Sequence, residues 1–171
     1  MTTSFVERLA AARIGTTFNQ YADSELRRAR LDRYLRDRRA AAVLLVGEAP
    51  GYRGARVSGI PFTSERQLSG SGPAEATATI VQRTLAALGL EDAVLLWNLV
   101  PTHPGTPESN RQPTRVEVEQ SDVFLRELAD GRRVVAIGRL AQARLGGPYI
   151  RHPSHGGAAA FRVGLAATLL G

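Results

Sequence analysis

The side chains in this chain best suited to act on a flat polar ligand each follow an apolar run or sit in a Gly/Pro-rich loop. Glu48 stands in GEAPG after the run AAAVLLV, Asn98 follows VLLW, and His152 and Ser154 stand in RHPSHGG. A carboxylate at a strand end either positions or deprotonates water or caps nearby amides. The Asn98 amide offers an acceptor and donors side by side, so it can meet a heterocycle edge carrying one donor and one acceptor. Buried without such a partner it would be costly. His152 is suited to donate to a developing oxyanion, the alternative being a turn histidine held by local hydrogen bonds, and Ser154 is suited to grip a phosphate. Phe62, in GIPF, is either a stacking face for a planar base or an anchor for its loop. His103, between two prolines in PTHPG, is either a loop residue or a substrate or phosphate contact.

Positioning these residues requires strands that end where they begin. Continuous apolar runs through AAAVLLV, Ala93 to Leu99 and Arg133 to Gly138, with a weaker one at Tyr149 to His152, read as buried parallel strands. Helical patterns lie between them at Ala74 to Leu88, closed by Gly89, and at about Val116 to Leu128. Two more precede the first strand, near Phe5 to Arg13 and from about Ser24, a suitable N-cap, to Arg39. The alternation predicts an α/β fold: a three-layer α/β/α sandwich with a central parallel sheet of about four strands. In such sheets ligands collect at the carboxyl ends of the strands, which is where the residues above fall. GEAPG could in principle be a phosphate-cradling loop, but its spacing matches neither Walker A nor GxGxxG.

Composition narrows the chemistry. With 171 residues, 43% hydrophobic and 22% charged, the chain is expected to fold as one domain over 1–171, with an Arg-rich helical lead-in over about 1–40. No apolar stretch reaches the roughly 20 residues that cross a bilayer, and the N-terminus lacks secretory features, so a cytoplasmic location is expected. The absence of cysteine excludes disulfides, thiolate catalysis, iron–sulfur clusters and cysteine-ligated zinc, and three histidines make no histidine-rich metal site. No metal and no cofactor are expected. All 22 basic residues are arginine and the net charge is +6. That balance points to an anionic partner such as nucleic acid, or to a GC-rich coding bias. The arginines of the second helix form either a solvated face or a phosphate-binding one.

GEAPG, then IPF, then Asn98 after the second strand and HPS near the C-terminus come in one order over roughly residues 43 to 157, and in this they resemble the uracil-DNA glycosylase superfamily. NLVP followed by NRQPT is similar to its cysteine-free bacterial members. The resemblance implies that Glu48 organises the attacking water, Phe62 stacks on the flipped base, Asn98 reads its edge, and His152 stabilises charge on uracil O2. Gly47 and Ala49 would complete the base site. Ser154, Ser64 and His155 would contact DNA, and Arg53, Arg56 and Arg66, which flank the first motif, either funnel the DNA backbone toward the site or form a solvated basic loop.

The first motif departs from the GQDPYH type, with Ala49 in place of its aspartate and Gly51 in place of its base-screening tyrosine. The iron–sulfur type that shares GEAPG carries four cysteines, and this chain has none. After HPS no leucine wedge is evident, which leaves His155, Arg151 or Phe161 to fill the gap behind a flipped base. The chain also lacks the lysine with which bifunctional glycosylases usually cleave the abasic site. The resemblance therefore implies a monofunctional, monomeric enzyme of base excision repair, nucleoid-associated in a bacterium, acting on DNA that contains uracil or another deaminated base. The alternatives are a lesion-binding module of the same fold that does not cleave, and a metal-dependent nucleotide or phosphate-ester hydrolase.

Overall fold

The computed structural model describes residues 3–171. Its elements in chain order are α1 (Phe5–Ala11), α2 (Glu25–Asp37), β1 (Val43–Gly47), α3 (Ala55–Ser58), α4 (Glu65–Ser69), α5 (Ala76–Leu88) and β2 (Val94–Asn98). There follow the short hairpin β3 (Gly105–Thr106) and β4 (Ser109–Asn110), then α6 (Arg115–Ala129), β5 (Arg133–Ile137), α7 (Arg139–Leu145), β6 (Tyr149–Ile150) and α8 (Ala158–Leu170).

Four strands form one sheet in the order β2-β1-β5-β6, every neighbouring pair parallel. Successive strand residues point to opposite faces, and here both faces are apolar. Leu44 and Val46, Leu95 and Trp97, and Ala136 pack into a cluster with residues of α1, α2, α6 and α7. Leu45, Leu96, Val135 and Ile137 pack against Val81 and Leu85 of α5 and Phe161 and Leu165 of α8. Helices on both faces make the three-layer α/β/α sandwich, and they explain why the strands read as unbroken apolar runs rather than alternating ones.

The Arg-rich helix α2 divides its charge: Arg33 and Arg36 are exposed, and other side chains pack against the fold. Leu31 is buried, and the Tyr34 hydroxyl accepts a 2.8 Å hydrogen bond from the amide of Leu96 on the edge strand β2. Its arginines reach the segment after β1: Arg27 donates to the Val57 carbonyl at 2.8 Å, and Arg30 makes a two-pronged pair with Glu65 at 2.8 and 3.0 Å. These bonds brace α3 and α4, which occupy the polar loop expected between the first strand and its helix.

Candidate active site

The register of β1 and β2 brings the first two functional positions together. Gly47 and Asn98 are directly paired, and the amides of Leu99 and Val100 continue the ladder to the carbonyls of Gly47 and Glu48 at 2.9 and 3.1 Å. Glu48 and Asn98 therefore leave the sheet side by side. At the end of β5 the Gly138 amide donates to the Ile150 carbonyl at 2.9 Å, which carries His152 to the same edge two residues later.

A cavity of about 230 Å³ opens at these strand ends, with Glu48, Ala49, Phe62, Asn98, His152 and Ser154 in its wall. It lies below the roughly 300–1,000 Å³ of pockets for drug-sized ligands, a size suited to one small planar ring. Gly47 lies beneath it: a side-chain carbon there would come within 2.9 Å of the Phe62 ring and 3.0 Å of Asn98 Oδ1. Phe62 adopts φ +51°, a conformation that costs an ordinary residue about 1–3 kcal/mol and clusters at functional sites. Gln82 of α5 holds it there, donating to the Phe62 carbonyl at 3.0 Å and to the Thr63 hydroxyl at 3.1 Å.

Asn98 is 3% exposed, and its side-chain amide has no hydrogen-bond partner among the described residues. The amide faces the cavity rather than a protein partner, so its acceptor and donors are free for a ligand with the complementary edge.

His152 has a definite tautomer. The backbone amide of Ser154 donates to His152 Nδ1 at 3.2 Å, and the Ser154 hydroxyl lies 2.7 Å from the same nitrogen. An amide only donates, so Nδ1 accepts and the ring proton sits on Nε2. Burial, helped by the neighbouring His155, pushes the imidazole below its usual 6.5, which keeps the ring neutral with Nε2–H as its donor. Ser154 Oγ also lies 3.0 Å from His155 Nδ1. The hydroxyl expected to grip phosphate is thus engaged by two imidazoles. His155 is exposed at the rim of the cavity, with φ +52°.

Glu48 carries no side-chain hydrogen bond among the described residues, and burial raises its carboxyl above 4.5. A second carboxylate, Glu75, lines the same cavity and is raised by the same cause. Sequence reasoning missed it because PAEAT matches no motif; only the docking of α5 brings it to the strand ends. Arg111 and Asn110 of NRQPT also reach the cavity wall. Their local role is structural: Asn110 Oδ1 accepts from the Tyr52 amide at 2.8 Å, and Arg111 pairs with the buried Glu117 at 2.6 and 2.9 Å.

Two expectations are corrected, and the choice left open for His103 is decided. Ser64 is fully buried, and its hydroxyl lies 2.9 Å from Gln67 Oε1 in the capping box of α4, so it does not face DNA. Phe161 is fully buried in the core and cannot serve as a wedge, which leaves His155 and Arg151, both exposed. His103 is also fully buried, its ring nitrogens 2.8 Å from the Pro50 carbonyl and 2.9 Å from that of Thr106. It ties the GEAPG loop to the hairpin rather than contacting a ligand. Arg53, Arg56 and Arg66 line an adjoining open groove beside Tyr52. Arg53 and Arg66 are exposed, whereas the Arg56 guanidinium stacks 4.7 Å from the Phe18 ring. Among the described residues no group of three or more His, Asp or Glu side chains is placed to hold a metal ion, and no helix is long and apolar enough to cross a membrane.

An amide without a protein partner, a neutral imidazole and two half-buried carboxylates thus surround one small cavity at the strand ends. The sequence profile of the Uracil DNA glycosylase superfamily matches residues 36–164, a span that contains every strand of the main sheet. The chain belongs to that superfamily. Among solved structures it is similar to wild-type SMUG2 from Pedobacter heparinus, with a TM-score of 0.71 over 99% of this chain and 98% of that one, at 13% identity. At that identity the likeness is one of fold. No curated protein matches the sequence.

Proposed function

We propose that this protein hydrolyses the N-glycosidic bond of deoxyuridine, or of a related deaminated nucleotide, in DNA and leaves an abasic site for base excision repair. The observation that carries this is the Asn98 amide, without a protein partner among the described residues and facing a cavity walled by Phe62. A base inside a duplex is unreachable, so the nucleotide must be extruded into the cavity. There Phe62 stacks on its face while Asn98 accepts from N3–H and donates to O4. Cytosine reverses both polarities and leaves buried groups unpaired, which can reject it by roughly 10,000-fold.

As the C1′–N1 bond lengthens, negative charge grows on the base and positive charge on the sugar. His152 Nε2–H donates to O2 and stabilises the departing anion, a contribution of about 100- to 1000-fold for one preorganised donor. The Glu48 carboxylate orients the water that attacks C1′. No lysine is present to form a Schiff base with the abasic sugar, so the reaction ends at base release. The groove of Arg53 and Arg66 gives the DNA backbone a cationic path beside the cavity.

The test is incubation, in chelator, with labelled oligonucleotides containing uracil opposite guanine or adenine, hypoxanthine, or thymine, followed by hot alkali. Strand breaks at uracil that appear only after alkali and vanish in Asn98→Ala and His152→Ala are expected. No break at any base, with salt-sensitive binding retained, would leave a lesion-binding module as the function.

A further inference from the structure

Glu75 breaks two local rules that nothing in the fold compensates. It holds the N-cap position of α5, yet its side chain makes no capping bond; Ser, Thr, Asp or Asn would serve the helix better. Its half-buried carboxylate lines the cavity with neither a hydrogen bond nor an ion pair among the described residues, a placement that gives the fold no bond in return for its desolvation. The loop after β1 is shaped around it. A side-chain carbon at Gly51 would run into Glu75 Oε1 and lie 2.9 Å from its Cδ, and one at Gly54 would run into Oε2 and lie 2.8 Å from Cδ. Two glycines thus make room for a carboxylate in the wall of the base cavity. A carboxylate held in a ligand cavity without a protein partner is expected to serve the ligand.

The perimeter of a pyrimidine shows which part Glu75 meets. N1 carries the sugar, O2 faces His152, and N3–H and O4 face Asn98, with Phe62 on one ring face. The C5–C6 edge remains, and it must meet a wall that those three residues do not supply. Glu48 serves the sugar in the reading above, and Glu75, which fills the space beside Gly51 and Gly54 in the cavity wall, is assigned to the edge.

We infer that Glu75 is a specificity-determining residue whose carboxylate stands against the C5 edge of the flipped base and excludes a 5-methyl group, and hence thymine. This rests on the glycosylase reading above. The group acts by bulk and by hydration: a methyl pressed against a carboxylate strips its remaining water and returns no hydrogen bond. Discrimination of one methyl by a pocket is worth about 10- to 200-fold.

The experiment measures single-turnover release of uracil and thymine, each opposite guanine, by the full-length wild type, Glu75→Ala and Glu75→Gln, with folding checked by circular dichroism. Expected is a thymine-to-uracil ratio that rises about 10- to 200-fold in Glu75→Ala, with Glu75→Gln, which keeps the bulk and loses the charge, in between. A 5-substituted uracil series on the wild type gives an answer even if the variants do not fold: 5-fluorouracil is released and 5-methyluracil is not. Uracil release that falls in both variants with an unchanged ratio would overturn the assignment and move Glu75 to the sugar side. So would wild-type release that is indifferent to the 5-substituent. A wild type that releases no base overturns the glycosylase reading itself, and this inference with it.

Discussion

Substituting Gly47→Ala tests the geometry of the cavity floor with a single methyl group. Gly47 is paired with Asn98 on one side, and its neighbour Val46 is paired with Ala136 on the other, so the backbone of β1 has no room to retreat. The new carbon would lie 2.9 Å from Phe62 Cε2 and closer still to Cζ, and the ring must be displaced. Overpacking of this kind costs about 1–3 kcal/mol, which for a chain of this length lowers the melting temperature by roughly 2–12 °C. Displacing the ring also removes its stacking on the base, worth about 1–3 kcal/mol, or roughly 5- to 150-fold in kcat/KM. Thermal melts and single-turnover release from a uracil-containing oligonucleotide measure both. The double variant Gly47→Ala with Phe62→Leu separates them: the smaller side chain relieves the clash and restores much of the stability, while base release stays low. A Gly47→Ala protein with wild-type melting and wild-type release would refute the close approach of Phe62 to the strand end.

Glu117 is held down to about 2 by its hydrogen bonds with Arg111, aided by the amides of Thr114 and Thr16. A carboxyl lowered on folding stabilises the protein above its unfolded value of about 4.5 and loses that contribution as pH falls toward 2; with Arg111 partly exposed, this amounts to about 2 kcal/mol. Glu117→Gln should therefore melt lower at pH 7 and lose less on acidification than the wild type, and parallel melting curves from pH 7 to 3 would contradict it. Because burial raises Glu48 above its usual 4.5, the carboxylate that orients water protonates at higher pH than a free one, so kcat/KM should fall on the acid side, and this acid limb should disappear in Glu48→Gln. A limb that persists unchanged in Glu48→Gln would show that this is not the group in play. Arg53→Ala and Arg66→Ala should each reduce the slope of log affinity against log salt by about 1, and slopes equal to the wild type would remove the groove from the DNA path.

The strands were legible because helices cover both faces of the sheet, so Val43 to Gly47 and Val94 to Asn98 are apolar at every step. Helices α5 and α6 were legible from their apolar periodicity and, for α5, from Gly89 at its end. Helix α8 was not, since AAAFRVGLAATLL has no contrasting polar face to mark a period, and α3 and α4 are single turns hidden among glycine, serine and arginine. At the site, Glu48, Phe62, Asn98 and His152 could be named because each sits at a strand end or in a short motif that chemistry constrains.

Residue types and the order of apolar runs thus determined the layered sheet and the edge where a ligand must bind, since burial periodicity is a local property of the chain. The tertiary structure alone decided which neighbours those side chains meet. It buried Ser64, His103 and Phe161, turned Arg27 and Arg30 of α2 into braces for the loop, and brought Glu75 from a remote helix end to Gly51 and Gly54. Such contacts depend on how helices dock across the sheet, and that docking comes from packing summed over the whole core rather than from the residues that meet.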